Sequence, residues 1–176
     1  MARMGREDWA ALGLAALREG GAGAIRLEAV TERAGKTRGS FYHHFESHDA
    51  FVAAMLALWR ERQTEAPIAE ADAAPDPAAA LNALAARLDL ALERAVRRLA
   101  AEREDWAAEV AAVDAARIDR LRKLRPDPEG AAARDYATLE YAAFVGLAEL
   151  APDAPPERLE ALGRLMDEMI EAHWNE

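Results

Sequence analysis

The chain has 176 residues, carries a net charge of −10 and is 52% hydrophobic, so it can bury a substantial core. It contains no cysteine, which excludes disulfide scaffolds, structural zinc fingers and thiol nucleophiles. No apolar stretch reaches the ~18 residues of a membrane-spanning helix, and the first residues lead into a charged segment rather than an apolar leader. We therefore expect a cytoplasmic protein with no membrane partner.

The composition favours helices. Alanine supplies much of the hydrophobic fraction, in runs such as 78–80 and 131–133. It is the best helix former but fills little core volume, and the sequence has no long alternating run of Val, Ile and Thr that would form a strand. The sequence therefore predicts an all-α fold of about nine closely packed helices.

The N-terminal part of the chain is predicted to form three helices in quick succession. The first runs from about Arg6 to Glu19 and ends at the glycines between residues 20 and 23, because glycine readily takes the conformations in which a chain leaves a helix. A short second helix must stop near Gly35. Thr37 can cap a third helix, since its hydroxyl can accept a hydrogen bond from a backbone N–H of the next turn.

Longer helices are predicted beyond this point. The fourth carries apolar residues at helical spacing from Phe51 and is expected to end around residues 66–67, before the proline-rich linker at 73–77. Four further helices, each with an apolar face, are predicted over residues 81–99, 106–124, 131–150 and 156–173.

Charge is distributed unevenly along the chain. Residues 1–46 hold seven lysines and arginines against six acidic residues, whereas residues 47–176 hold 15 against 26. An acidic body with a less acidic head is compatible with DNA binding through the head alone.

The second and third predicted helices form a helix-turn-helix pattern, because only Gly35 and Lys36 separate them. Residues 27–51 read LEAVTERAGKTRGSFYHHFESHDAF. Within them, Ala-Gly followed by Gly-Ser-Phe-Tyr-x-His-Phe at this spacing closely resembles the DNA-binding signature of the TetR family of regulators. The resemblance covers these 25 residues, about one-seventh of the chain. It implies a ligand-responsive repressor that binds a palindromic operator in double-stranded DNA as a homodimer.

The resemblance also implies which residues contact DNA: Lys36, Thr37, Arg38, Gly39, Ser40, Tyr42, His43 and His48. Arg38 and Ser40 would project into the major groove, where arginine can pair bidentately with guanine. Thr37, Tyr42 and His43 would hold phosphates, which set the register on DNA without reading its sequence.

Other residues of the motif have different expected roles. Gly39 would let the recognition helix approach DNA closely, whereas Phe41 and Phe45 are expected to be core residues. Two positions depart from the family pattern. Lys36 replaces a small apolar residue and could either contact a phosphate or be solvated. His48 stands where the family has a lysine, so we expect this backbone contact to be weak or pH-sensitive, because histidine is mostly neutral at neutral pH.

Catalytic and metal-binding interpretations have little support. His44 and His48 are four residues apart, but the predicted break at 45–47 spoils the one-face geometry that a metal site on a helix needs. Ser40 has no nucleophile-elbow setting and no partner base, and no phosphate-cradling glycine loop is present. We expect no enzyme, no metal and no cofactor. The stronger alternative is a helical interaction or dimerisation protein with a relic DNA-binding head and no small-molecule effector.

The chain is predicted to divide into a helix-turn-helix domain at 1–47 and a helical domain at 48–176. The resemblance implies that the second domain dimerises and binds a small organic effector. Its last two helices have more apolar residues than one buried face needs, which favours a two-fold interface, although they could also cover only their own core. The candidate interface residues are Tyr141, Phe144, Leu162, Met166, Met169 and Ile170. Candidate effector contacts, although residues of this kind are more often plain core, are Trp59, Leu92, Val96, Trp106 and Val113.

Overall fold

The computed structural model describes residues 4–174, and within this range every regular element is helical, as the composition predicts. The 3₁₀-helix Ala22–Ile25 precedes the second α-helix, and the π-helical turn Glu61–Glu65 follows the fourth. None of the described helices combines the length and apolarity that crossing a membrane requires. The α-helices are α1 (Arg6–Gly20), α2 (Leu27–Ala34), α3 (Arg38–Tyr42), α4 (His48–Arg60), α5 (Ala66–Asp72), α6 (Pro77–Ala85), α7 (Leu90–Ala100), α8 (Glu104–Lys123), α9 (Ala131–Leu150) and α10 (Pro156–Trp174).

The helix-turn-helix forms through the local signals that the sequence carries. Gly35 ends α2 in the left-handed conformation with φ +60°, and the N–H of Lys36 donates to the carbonyl of Thr31 at 3.0 Å. The hydroxyl of Thr37 accepts the N–H of Ser40 at 3.2 Å, which caps α3. The predicted glycine stop and threonine cap are therefore confirmed.

The chain divides into two compact units. The first contains Met1–Arg62 and Leu92–Val110, and the second contains Gln63–Ala91 and Ala111–Glu176. The helices α7 and α8 each contribute residues to both units. These units are defined by contacts within the structure. The division of function between a DNA-binding domain at 1–47 and a dimerisation and effector domain at 48–176 stays a prediction.

An aromatic cluster forms the core of the first unit. Trp9, Phe41, Phe45 and Phe51 are buried, and the ring centroid of Phe41 lies 5.5 Å from that of Trp9 and 5.2 Å from those of Phe45 and Phe51. Aromatic pairs at these separations add to the stability that burial of their area provides. The expectation that Phe41 and Phe45 are core residues is confirmed.

A glycine allows α1 and α4 to pack closely in this unit. A Cβ atom at Gly13 would lie 2.5 Å from Cζ of Phe51 and 2.7 Å from Sδ of Met55. Such separations are too short for a Cβ atom, so any larger residue at position 13 would force the buried side chains of Phe51 and Met55 to move.

The predicted helix at 81–99 is two helices in the structure. Residues 86–89 form a turn between α6 and α7, and the N–H of Asp89 donates to the side-chain Oε1 of Gln63 at 3.2 Å. The apolar residues of this segment keep their helical spacing through the turn, so the sequence pattern does not reveal the break. The turn instead contacts Gln63, which is distant in sequence.

The end predicted for the fourth helix is also wrong, because the helical path continues through the π-helical turn into α5. Pro67 lies in the first turn of α5, where its missing N–H costs least. Proline cannot donate to the carbonyl four residues earlier, and a local π turn is one way in which a helix adapts to this gap. That carbonyl belongs to Gln63, and it accepts a hydrogen bond from the side chain of Arg117 at 3.2 Å.

Candidate functional site

The exposed surface of α3 and its flanking residues is the first candidate site. Phe41 is the buried residue of this short helix and packs into the core. The other side chains of α3 lie outside the core. Thr37, Arg38, Gly39, Tyr42 and His43 are exposed, while Lys36 and Ser40 are half-buried. Seven of the eight residues predicted to contact DNA thus lie on or beside α3, and none of these seven is buried.

Arg38 forms an ion pair with Glu28 on α2, and their side chains are 63% and 66% exposed. Ion pairs this exposed contribute about 0–1 kcal/mol. Arg38 can therefore exchange Glu28 for another acceptor at little cost. The sequence analysis missed Glu28, because its proximity to Arg38 depends on how α2 and α3 pack.

Two further sets of contacts join α1 to the helix-turn-helix within the first unit. Arg6 donates to the carbonyl of His44 at 2.7 Å, and its guanidinium lies 4.6 Å from the ring centroid of Phe45. Arg33 and Glu19 form a two-bond pair at 2.7 and 2.9 Å, and this hydrogen bonding lowers the pKa of Glu19. The N-terminus of α1 therefore holds the chain that leaves α3.

His48 has a structural contact that its sequence position does not reveal. Its Nε2 lies 2.8 Å from the carbonyl oxygen of Ile25, and the residue is half-buried beside Phe51. A carbonyl oxygen only accepts hydrogen bonds, so Nε2 carries a hydrogen and donates it. The ring therefore joins the first turn of α4 to the segment before α2, and Nδ1 is its remaining polar atom for another partner.

Replacing His48 with lysine is expected to tighten operator binding at low salt, because a full positive charge near the phosphate backbone adds a salt-dependent contact. The measurement is the dissociation constant and its salt dependence by fluorescence anisotropy. His44→Lys adds the same charge at a position with no predicted DNA contact and serves as the control. An unchanged affinity and an unchanged salt slope for His48→Lys would contradict the prediction.

The second candidate site is a cavity of about 450 Å³ in the second unit. Most of its wall is apolar and comes from several helices, including Leu81, Leu121, Phe144, Leu147, Leu162 and Met166. Its polar lining residues are Gln63, Thr64, Asn82, Arg117, Arg120 and Glu140. Cavities of this size, apolar with a few polar groups, are typical of small-molecule sites.

The residues predicted to contact an effector do not line this cavity. Trp59, Leu92, Val96, Trp106 and Val113 are all at most 8% exposed and pack as core. In the first unit, Trp59 donates to a buried glutamate, Glu93, at 3.2 Å. Helical periodicity identifies buried faces but does not separate packed core from a cavity wall.

The residues predicted at the dimer interface differ in exposure and fall into three groups. Tyr141 and Ile170 are buried within the chain, whereas Met169 is 63% exposed. Phe144, Leu162 and Met166 are half-buried and, like Tyr141 and Met169, line the cavity. Three further large apolar residues of α9 and α10 are exposed: Leu139, Leu150 and Leu165.

Arg117 organises the polar end of the cavity, although it is only 8% exposed. Its Nε donates to the hydroxyl of Thr64 at 2.9 Å, and its Nη1 donates to that of Tyr141 at 3.0 Å. Its Nη2 donates to the carbonyl of Gln63. The Tyr141 hydroxyl in turn donates to Asp114 at 2.7 Å. Arg117 therefore connects α8 and α9 to the π-helical turn.

Two carboxyl groups lie close together near the same cavity. Glu140 pairs with Arg125, and their side chains are 15% and 10% exposed. Burial raises the pKa of Glu140 to about 7; the charge of Arg125 opposes this rise, and the charge of Asp167 adds to it. Asp167 accepts a hydrogen bond from the Asn82 amide, and burial raises its pKa as well.

The raised pKa values of Glu140 and Asp167 predict that the folded protein loses stability as pH rises. Glu140 binds its proton more tightly in the folded state than at its ordinary pKa of 4.5, so its contribution is favourable below that pH and is lost as pH rises to about 7. The loss is about 3 kcal/mol for Glu140, and Asp167 changes stability in the same direction. Glu19, Asp105 and Asp119 have lowered pKa values and affect stability only at lower pH.

Urea unfolding across this pH range tests the expectation. Glu140→Gln should unfold with a flatter pH dependence than the wild type and should be more stable above about pH 7. Glu157→Gln, at an exposed position of α10, should follow the wild type. A Glu140→Gln profile that runs parallel to that of the wild type would show that this carboxyl is not responsible.

Comparison with known proteins supports an assignment for the first site. Residues 11–55 match the family model described as bacterial regulatory proteins, tetR family. A transcriptional regulator from Rhodococcus sp. Rha1 is similar in structure, with a TM-score of 0.81, 25% identity, and coverage of 94% of this chain and 95% of that one. A candidate transcriptional regulator from Pseudomonas aeruginosa PAO1 shares the fold, with a TM-score of 0.75, 17% identity, and coverage of 93% and 88%. No curated protein matches the chain in sequence.

The match in sequence and the match in structure cover different parts of the chain. The family model covers most of α1, the helix-turn-helix and the first part of α4, which contain the exposed surface around α3. The two solved structures extend the similarity of fold to nearly the whole chain. The described residues contain no cluster of three or more histidine and acidic side chains suited to a metal ion.

Proposed function

Since the chain is a transcriptional regulator of the TetR family, we propose that it represses transcription by binding a palindromic operator as a homodimer, and that a small organic effector releases it from DNA. The observation that carries the proposal is the accessible surface of α3, with Thr37, Arg38, Tyr42 and His43 exposed around the buried Phe41. Such a protein acts by binding rather than by catalysis, and in a bacterium it works in the cytoplasm, where the DNA lies.

The proposed DNA contacts separate into base readers and phosphate contacts. Arg38 reads a guanine in the major groove after exchanging its pair with Glu28, and Ser40, two residues further along the same helix, enters the same groove. Thr37, Tyr42 and His43 hold the sugar-phosphate backbone together with Lys36 and His48. Gly39, which has no side chain, allows α3 to approach the DNA closely.

Exposed apolar residues on α9 and α10 support the proposed homodimer. Leu139, Leu165 and Met169 are each more than half exposed, and Leu150 more so. Large apolar side chains in a group of this kind are rarely left in water and often mark an interface. Two copies of α9 and α10 across a two-fold axis would cover them with the half-buried Phe144, Leu162 and Met166.

The proposed switch is an equilibrium between two states of the dimer. In one state the two copies of α3 are about 34–36 Å apart, one turn of DNA, and fit both halves of the operator. An effector that prefers the other state lowers the DNA-bound fraction, by at most its ratio of affinities for the two states. The cavity of the second unit supports the presence of such an effector, because it is large enough for a small organic molecule.

Selection of bound DNA from a random pool tests the proposal with the full-length protein. We expect an enriched palindrome with half-sites about one helical turn apart. Recovery of no enriched sequence would instead favour a helical interaction protein with a relic DNA-binding head. An enriched sequence without two-fold symmetry would contradict the dimer.

Arg38→Ala is expected to weaken binding to the selected operator by about 1–3 kcal/mol and to relax the preference at one base pair of each half-site. Arg158→Ala removes the same charge from an exposed position of α10 and is the matched control. Gel shifts with the operator and with single-base variants give both quantities. Equal losses for the two substitutions, with no change in base preference, would overturn the role of Arg38.

A further inference from the structure

We propose that Glu28, on α2, is a second specificity-determining residue. Its carboxylate accepts a hydrogen bond from the N4 amino group of a cytosine, in the base pair next to the guanine that Arg38 reads. This inference rests on the proposed function, because it adds a base contact to the proposed complex with the operator. It concerns residues of α2 and α3, which belong to the same unit.

The ion pair between α2 and α3 brings a carboxylate to the exposed surface of the helix-turn-helix. Arg38 is the only charged residue of α3, and its ion-pair partner comes from α2. Glu28 lies in the first turn of α2, and the buried residues Val30 and Thr31 hold that helix in the first unit. An acidic side chain on a fixed backbone thus accompanies the arginine that would enter the major groove.

The same ion pair limits how far Glu28 can lie from the base that Arg38 reads. Its carboxylate and the guanidinium are in hydrogen-bond contact, and both side chains are mostly exposed. Successive base pairs of DNA are stacked about 3.4 Å apart. When the guanidinium lies over one base pair, the carboxylate is therefore within reach of the next one.

Contact between Arg38 and guanine changes the surroundings of Glu28. An exposed ion pair is worth at most about fivefold in an equilibrium constant, whereas a bidentate contact between arginine and guanine discriminates by about 5- to 150-fold. The arginine therefore moves to the base, and the carboxylate is left at the groove without its cation. The phosphates, guanine O6 and N7, and thymine O4 would all repel it, because each is an acceptor.

Cytosine is the base that best relieves this repulsion. Its major-groove edge presents the N4 amino group, a donor, with no acceptor beside it. Adenine also has an amino group, N6, but its N7 acceptor lies beside that donor. A carboxylate therefore gains a hydrogen bond at cytosine and meets at least one acceptor at every other base. Attraction to one base combined with repulsion from the others is what produces sequence preference.

Selection of bound DNA from a random pool, repeated with variants of the full-length protein, tests this contact. The wild type should enrich a guanine with a cytosine in a neighbouring base pair. Glu28→Ala should reduce the preference for that cytosine by about five- to tenfold and keep the guanine. Glu28→Gln should replace the cytosine with adenine, because glutamine pairs bidentately with adenine N6 and N7. Glu32→Gln, at an exposed position one turn further along α2, should follow the wild type.

Removal of Arg38 separates a direct base contact from an effect transmitted through the arginine. The measurement is the ratio of dissociation constants for single-base operator variants, by fluorescence anisotropy at low salt, where weakened variants still bind. In an Arg38→Ala background, Glu28→Ala should still reduce the preference for cytosine. If Glu28 only positions Arg38, its removal would instead weaken the preference for guanine and would have no effect in that background. Either result would overturn the proposal.

The selection also distinguishes this inference from the proposed function. If the wild type and Glu28→Ala enrich the same palindrome, the cytosine contact is wrong and the DNA-binding role stands. If neither protein enriches any sequence, the proposed function is wrong and the inference fails with it. Circular dichroism checks that each variant is folded, which is expected because the substituted positions are exposed.

Discussion

Replacement of Phe41 with alanine is expected to lower the free energy of unfolding by about 3–5 kcal/mol and to abolish operator binding. Phe41 is fully buried, and its ring contacts three others. These belong to Trp9 of α1, to Phe45 in the segment between α3 and α4, and to Phe51 of α4. The truncation would remove the central ring of this cluster. It would also remove the buried residue by which α3 is held, so the exposed residues around it would lose their fixed positions.

Urea unfolding followed by circular dichroism measures the first effect, and gel shifts measure the second. Tyr42→Ala is the matched control, because Tyr42 is the next residue on the same helix and is 52% exposed. It should cost less than about 1 kcal/mol in stability while weakening DNA binding through the lost backbone contact. A Tyr42→Ala variant as unstable as Phe41→Ala would refute the central position of Phe41 in the core.

Replacement of Arg117 with alanine is expected to cost roughly 3–5 kcal/mol of stability. The substitution leaves the Gln63 carbonyl and the hydroxyls of Thr64 and Tyr141 without hydrogen bonds that Arg117 donates in the folded protein. Loss of a partner inside a buried network costs more than the net contribution of the bond, because the remaining groups keep their desolvation penalty. Lysine should restore little, since its ammonium lacks the planar fork that reaches three acceptors.

The comparison for Arg117 is an exposed arginine of the second unit. Arg134→Ala, on the outer face of α9, should change stability by less than about 0.5 kcal/mol. Chemical unfolding of both variants and of Arg117→Lys gives the three values needed. Similar costs for Arg117→Ala and Arg134→Ala would show that the buried network contributes nothing specific.

The helix-turn-helix could be predicted because its determinants are local. Gly35 has the left-handed conformation that glycine adopts readily. The hydroxyl of Thr37 caps α3 by accepting the N–H of the residue three positions later. Phe41 and Phe45 are large apolar residues among polar neighbours, so both could be identified as core residues, and both are buried. Each of these signals operates within a few residues of sequence.

The departures from the predicted helices arise from contacts over long sequence distances. The turn between α6 and α7 involves the side chain of Gln63 and the N–H of Asp89, which are 26 positions apart. Continuation of the helical path past Pro67 involves Arg117, which lies 54 positions from the carbonyl that it contacts. Neither partner can be inferred from helical periodicity, which is a property of a single segment.

The cavity and the carboxyl groups beside it could not be predicted from the sequence for a related reason. Glu140 and Asp167 occupy ordinary positions on two helices with many acidic residues, and nothing in their local sequence distinguishes them from solvated side chains. Their raised pKa values result from burial where α6, α9 and α10 meet. Similarly, Trp59 and Trp106 are large and apolar enough for a ligand site, but both are buried and neither lines the cavity.

The single buried side chain of α3 has a consequence for the design of new specificities. Because Phe41 anchors the helix, the residues beside it can be varied with little effect on folding. A library randomised at Arg38 and Ser40 should therefore yield many folded proteins with different operator preferences. Glu28 should be included, because its pairing with Arg38 would otherwise bias the outcome toward the native choice. Alteration of recognition in this protein thus requires changes at few positions, all of them on the surface.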